Sequence, residues 1–301
     1  MTPVVPLRFQ VGARTLLSIP RRIRHVPLTL DEALARKLPK LPRLETSQDG
    51  YLLTSLPRSS MTQAVKRGFI HSVRQSYTRY YVTFGDLSHE QWLASMSGNM
   101  RSSLRRKQRR LTQYTEKMLI RSFRTVDEMI EFHALARPVA KLTYQERLLR
   151  AGLPDTPEFL EEMLTLAAEN RARGWLMTLG GRPIAYLWCA AEGDTLRYEY
   201  VGHDPAASDL SPGTVLHAAA FQDLFRERHF ARFDFTEGGG QHKRQFATGG
   251  VACVDLLLMR DTVANRAALG ALRAFDQGVA LAKRLADGPA LATLARRVRR
   301  A

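Results

Sequence analysis

The side chains able to move protons or hold charge in one neighbourhood lie between Glu199 and Lys243. Glu199 is a lone carboxylate inside Leu196-Arg-Tyr-Glu-Tyr-Val201, an aromatic run that reads as a strand. A carboxylate so placed can serve as a general base. Its plainer alternative is a pair with Arg197, which the two-residue spacing puts on the same strand face. Tyr200, like Tyr198, could give a proton to a leaving group, although tyrosines on half-buried strands usually serve packing. Asp234 separates Phe233 from Phe235, so on a strand it faces away from both. It points either into a pocket or into a structural cap for the glycine loop that follows. Glu237, His242 and Lys243 bracket Gly238-Gly-Gly240. His242 could be a neutral base near physiological pH, although a lone loop histidine is more often incidental. Glu237 and Lys243 are candidate substrate contacts, the lysine for a phosphate or carboxylate; it could equally fix the loop.

The elements that must position these groups run from Gly174 to Phe246 in the order strand, turn, strand, turn, strand, helix, strand, glycine-rich loop. The strands are Trp175 to Leu179, Pro183 to Ala190, Thr195 to Val201 and Ala231 to Thr236, with Gly180-Gly181 and Glu192-Gly-Asp194 as turns. Before the helix stands Asp209-Leu-Ser-Pro-Gly-Thr214, and the apolar-periodic run from Val215 to about Arg228 follows. Ser211 is placed as an N-cap, Pro212 suits the first helical position, and Gly213 removes a side chain that would block close approach. Such a helix start offers backbone N–H groups and the positive end of the dipole to an anion. No Cys pair or His-x-x-x-His spacing supports a metal, and Gly-x-Ser-x-Gly is absent, so a serine nucleophile is unsupported.

Three stretches resemble the Gcn5-related N-acetyltransferase (GNAT) superfamily: Gly181-Arg-Pro-Ile-Ala185, Ser211-Pro-Gly213 before the helix, and Phe233-Asp-Phe235 followed by Lys243 and Phe246. The order looks most like the CelD/BcsL-like ("cellulose biosynthesis") branch, related to the FemAB peptidyltransferases. The resemblance spans roughly Met100 to Phe246. It implies an α/β fold, a mixed sheet flanked by helices, with two GNAT-like lobes in tandem and a helical C-terminal tail. The implied divisions are a degenerate lobe over 1–97, a catalytic lobe over 98–260 and a basic helical tail over 261–301. It also implies that Ser211, Gly213, Thr214 and Val215 bind the pyrophosphate of acetyl-CoA or a longer acyl-CoA. The superfamily's glycine-rich consensus is reduced here to Gly213 alone. The acceptor would be the amine of a cell-envelope precursor, an amino sugar or a lipid base, with Pro138 to Asp155 lining its pocket. Transfer would go directly from thioester to amine, Glu199 lying on the strand beside the thioester.

Across 301 residues the chain carries 45 Lys and Arg against 29 Asp and Glu, a formal net charge of +16. That balance favours an acidic partner such as an anionic membrane surface. The segment Arg101 to Leu111 holds six basic residues with Leu104 and Leu111 as a thin apolar stripe. It is either a phosphate-facing surface or a solvated linker helix. Aromatics to stack bases are missing from it, which disfavours nucleic acid. Cys189 and Cys253 sit in apolar runs and read as buried thiols. No apolar run reaches membrane-span length and no signal-peptide pattern stands at the N-terminus. The location expected is cytoplasmic, with the option of peripheral attachment at the inner membrane face through the basic tail, which ends in Arg296-Arg-Val-Arg-Arg300. Two rivals stand beside the transferase: a non-catalytic binder of anionic lipid or polymer, and a FemAB-type transferase using aminoacyl-tRNA.

Overall fold

The computed structural model describes residues 4–11, 14–65, 67–85, 87–112, 117–143, 152–238 and 240–286. In chain order the elements are β1 (Val4–Val11), β2 (Arg14–Pro27), α1 (Leu30–Leu34), β3 (Gly50–Pro57), α2 (Met61–Ala64), β4 (Phe69–Thr83), α3 (His89–Ser95), α4 (Gly98–Thr112), β5 (Met118–Phe123), α5 (Val126–Leu142), α6 (Pro157–Ala168), β6 (Ala172–Leu179), β7 (Arg182–Glu192), β8 (Thr195–His203), α7 (Pro212–Glu227), β9 (Arg232–Asp234), α8 (Gln241–Phe246), β10 (Gly249–Arg260) and α9 (Val263–Ala286). They fall into two packed units, one made of Met1–Ser76 with Cys253–Ala301 and the other of Tyr77–Ala252.

In the first unit β1 pairs antiparallel with β2, β2 runs parallel to β3, and β3 pairs antiparallel with β10. Alternation along β10 feeds two cores: Val254, Leu256 and Leu258 pack with Leu53 and Leu56, while Leu257 and Met259 pack with Phe9 and with Leu269 and Leu272 of α9. Pro6 and Pro20 bring no N–H to a ladder, yet β1 and β2 run through them. Pro6 falls at the register shift between Val5 and Leu7 of β1, which is where a strand tolerates a residue without a donor.

The second unit carries the mixed sheet that the site is built on. β9 lies between β4, antiparallel, and β8, parallel; β7, β6 and β5 continue antiparallel from β8. Strand alternation again makes two cores. Trp175 and Met177 of β6 face one cluster with Leu216, Phe221 and Leu224 of α7, and Leu176 faces the other with Phe132 and Met163 of α5 and α6. This is the expected class, a mixed α/β sheet flanked by helices.

The packing places the divisions at 76/77 and 252/253, where the sequence reading put them at 97 and 260. Trp92 of α3 explains the first difference. It is buried in the second unit and its indole N–H donates to Phe246 O at 3.0 Å. The second follows from β10, which zips onto β3 from Cys253 to Met259, and from α9, which packs into the first unit.

Local signals behave as their chemistry dictates. Ser88 and Thr125 close capping boxes with Gln91 and Glu128 at the starts of α3 and α5. Pro138 stands inside α5, yet the helix runs on to Leu142. The neighbours Ala136, Val139 and Ala140 are buried, and that packing offsets the one backbone bond the proline removes. Residues 144–151, Gly288-Pro289 and Leu294 lie outside what is described, as does the side chain of Leu285. Both cysteines are buried.

Candidate functional site

The site grows from an irregularity in β8. Its register with β7 steps from Cys189↔Tyr198 to Trp188↔Tyr200, leaving Glu199 as an extra residue, a β-bulge. On its other edge β8 pairs with β9 only as far as Arg197↔Asp234, and β9 ends there while β8 continues to His203. The bulge also changes which side chains share a face. Tyr198 stacks on His217 of α7 at 5.4 Å and meets Phe233 and Phe235. Tyr200 instead meets Phe159 of α6 and Trp188. Spacing of two would have put both tyrosines on one face.

Beside the unpaired end of β8 lies a cavity of about 650 Å³. Tyr198, Val201, Gly202 and His203 form one wall, Ser211, Pro212, Gly213, Thr214 and His217 a second, and Thr143, Pro205, Ser208 and His242 also line it. Its lining contains no Asp, Glu, Lys or Arg among the described residues. The second wall is the start of α7. Ser211 holds the N-cap position in a left-handed conformation, φ 52° and ψ 48°, and its hydroxyl makes no cap bond, contrary to the expectation. Pro212 brings no N–H, while Thr214 and Val215 donate back to Ser211 O at 3.0 and 3.4 Å. Gly213 therefore carries the first outward donor of the helix. A Cβ built on it meets nothing within 4 Å, so the space above its backbone is open. The Val215 side chain is core, leaving only its backbone near the cavity.

α4 brings cations to the same helix start. Lys107 Nζ donates to Thr214 Oγ1 at 3.2 Å, and Arg110 donates to Asp209 O and Oδ2, each at 3.1 Å. Met100, Leu104 and Leu111 of α4 are buried in the second unit's core. The basic helix is thus a packed element of this unit, not a solvated linker.

The other predicted side chains take more varied places. Arg197 Nε lies 3.3 Å from Glu199 Oε1, the plainer pairing that the sequence allowed. Burial pushes the Glu199 carboxyl above its ordinary value, and Arg197 pulls it back. Asp234 is fully buried. Arg79 Nε donates to its two oxygens at 3.1 and 3.2 Å, and Thr236 N–H donates to Oδ1 at 2.9 Å. That geometry gives it the structural role of capping the following loop and leaves no oxygen for substrate. Lys243 is also buried, donating to Phe235 O at 2.7 Å and Glu237 O at 2.5 Å, so in this state it fixes the loop. The Glu237 residue is exposed. His242 is half-buried in the cavity wall, and burial lowers its pKa, with Lys243 adding to the effect.

Sequence reasoning missed His217, Arg79 and Lys107. His217 looked like one more position in an apolar-periodic helix, yet it stands four residues after Gly213 and so shares its face. Lys107 was seen only as one charge of six; nothing in a single sequence reports its contact with Thr214. Arg79 has no local signal at all. Among the described residues there is no cluster of three or more His, Cys, Asp or Glu able to hold a metal, and no helix long and apolar enough to cross a membrane.

Comparison with known proteins gives one family match over part of the chain and likenesses of fold over most of it. Residues 98–244 match the family model described as Acetyltransferase (GNAT) domain. Over most of its length the chain also shares a fold with FemX, at a TM-score of 0.51 and 11% identity, covering 85% of this chain and 88% of that one. A second likeness of fold is to the C-terminal domain of a putative lysylphosphatidylglycerol synthetase from Agrobacterium fabrum. There the TM-score is 0.50 and the identity 9%, over 74% of this chain and 71% of that one. No curated protein gave a match.

Proposed function

We propose that the protein is an acyl-CoA-dependent N-acyltransferase whose acceptor is the amine of a cell-envelope precursor, an amino sugar or a lipid base. One observation carries the reading: a cavity opens where the first donor of α7, on a glycine under open space, meets the unpaired edge of β8. The pyrophosphate of the donor would sit at Ser211 to Val215, with the Lys107 ammonium beside Thr214 supplying positive charge. The uncharged cavity suits the amide-linked arm that follows, and the free edge of β8 offers it strand-like hydrogen bonds. The amine nitrogen attacks the thioester carbonyl directly. Glu199, whose burial raises its proton affinity, is our assignment for the base that takes the first ammonium proton. Its ion pair with Arg197 must loosen for that role.

The test is thermal unfolding with CoA, acetyl-CoA and palmitoyl-CoA, the last below its micelle threshold. Ligand at about 100 times its Kd adds about 2.7 kcal/mol of stability. A shift with all three supports the cradle, and their ranking reports acyl length. A folded sample that shifts with none removes the reading in favour of a non-catalytic binder. A FemAB-type donor, aminoacyl-tRNA, is the second reading, favoured by Arg105, Arg106 and Arg109 lining a surface groove on α4. Binding of tRNA that falls steeply with salt, with no CoA shift, would favour it.

A further inference from the structure

His217 is the most unusual polar group of the second unit. It is 96% buried on the cavity wall, since only 4% of its surface remains exposed. Its Nδ1 lies 2.6 Å from Gly213 O, an atom that can only accept. The proton is therefore on Nδ1, and Nε2 is a bare acceptor. That Nε2 is buried with no hydrogen-bond partner, and so is Nε2 of His242. Buried polar atoms without partners are rare and costly, so two lining one cavity call for an explanation. The rings lie 5.9 Å apart between centroids.

We propose that His217 is a positioning residue that holds His242 as the proton carrier of the acyl-transfer site. His217 Nε2 accepts from His242 Nε2–H once the two rings turn toward each other, a motion that needs no ligand; this fixes the His242 tautomer and leaves Nδ1 as the reactive nitrogen. This rests on the N-acyltransferase reading. There, the amine nitrogen bonds to the thioester carbon, the C–S bond breaks, and the ammonium gives up two protons. One passes through Glu199 to solvent. The other must end on the leaving sulfur. Nitrogen and sulfur share one carbon in the tetrahedral adduct, so a single imidazole nitrogen can take the proton from one and return it to the other.

The groups facing His217 agree with an acceptor that never titrates in the working range. Burial lowers its pKa to about 4, and His242 and Lys243 from α8 push in the same direction. Tyr198 from β8 stacks on it as a neutral phenol, with burial holding its proton on. A group of such low basicity is a poor base itself and a good fixed acceptor. The division of labour between the two histidines follows from that.

The experiment is nitrogen NMR of the full chain with isotope-labelled histidine, on wild type, His217→Phe, His217→Gln and His242→Gln, the last for assignment. Wild type should show His217 with a proton on Nδ1 and no titration across about pH 5.5 to 8.5. His242 should carry its proton on Nε2. In His217→Phe the His242 preference should collapse to a mixture, and in His217→Gln, which keeps an acceptor near the same place, it should persist. A proton on Nε2 of His217 in wild type, or a His242 tautomer unchanged in His217→Phe, overturns the proposal. If the phenylalanine variant does not fold, wild type and His217→Gln decide it: a mixed His242 tautomer in both is the refuting result. None of these signals depends on CoA, so they fail independently of the cofactor reading, which the unfolding shifts report.

Discussion

Gly213→Ala separates stability from binding. The backbone at Gly213 is the second position of a sixteen-residue helix, with no positive φ and no heavy atom within 4 Å of a built Cβ. Replacing a helical glycine by alanine under those conditions raises stability by about 0.4–1 kcal/mol, largely by restricting the unfolded chain. The new methyl fills the space where we place the pyrophosphate. If it weakens CoA binding about tenfold, a CoA concentration of about 100 times the wild-type Kd becomes about 10 times the variant's. The ligand-induced gain then falls from about 2.7 to about 1.4 kcal/mol. In a unit of this size each kcal/mol is worth about 2–4 °C in Tm. Thermal unfolding with and without CoA should thus show a free variant more stable than wild type, with its CoA shift roughly halved. An unchanged shift would refute the cradle. A destabilised free variant would refute the local geometry.

Asp234→Asn should cost about 3–5 kcal/mol in urea unfolding, because it strands the buried Arg79 charge; a loss under 1 kcal/mol would reopen Asp234 as a functional group. Gly50→Ala should be damaging in the first unit, since its Cβ would stand 1.9 Å from Leu258 O and 2.8 Å from Met259 Cα, both backbone. We expect a loss of at least about 2 kcal/mol, and wild-type unfolding would contradict the β3–β10 register. Acid should destabilise the second unit through His217. Its folded pKa lies near 4 against an ordinary 6.5, so the unfolded chain takes up the proton first. The stabilisation is present above pH 6.5 and is lost as pH falls toward 4, on the order of 3 kcal/mol. In His217→Phe the unfolding free energy should fall less steeply over that window, and an identical slope would exclude His217 as the source.

What could be read from sequence was local. The strands from Trp175 to Val201, the Pro212 helix start and the capping boxes at Ser88 and Thr125 are each written in adjacent residues. The basic stripe of α4 was legible as composition, and Leu104 and Leu111 correctly marked its buried side. The site's working details come from contacts across 107 to 155 positions, such as Lys107 with Thr214 and Arg79 with Asp234. Spacing within one segment cannot report them. The bulge at Glu199 shows a further limit. Strict alternation put Tyr198 and Tyr200 on one face, and one extra residue in β8 sent them to opposite cores. Ser211 shows another, where the right residue type stands at the right position in a conformation that keeps its hydroxyl from capping.

The first unit is assembled from both ends of the described chain, with β10 zipping onto a β3 that lies about 200 residues earlier. During synthesis that pairing must wait until the whole of the second unit has been made. The stretch from Tyr77 to Ala252 is uninterrupted and can settle as soon as it emerges, while the edge of β3 that takes β10 stays open. A ribosome-bound chain halted before β10 should therefore hold a protease-resistant second unit behind a cleavable N-terminal stretch, and resistance of the first 76 residues should appear only after β10 and α9 emerge.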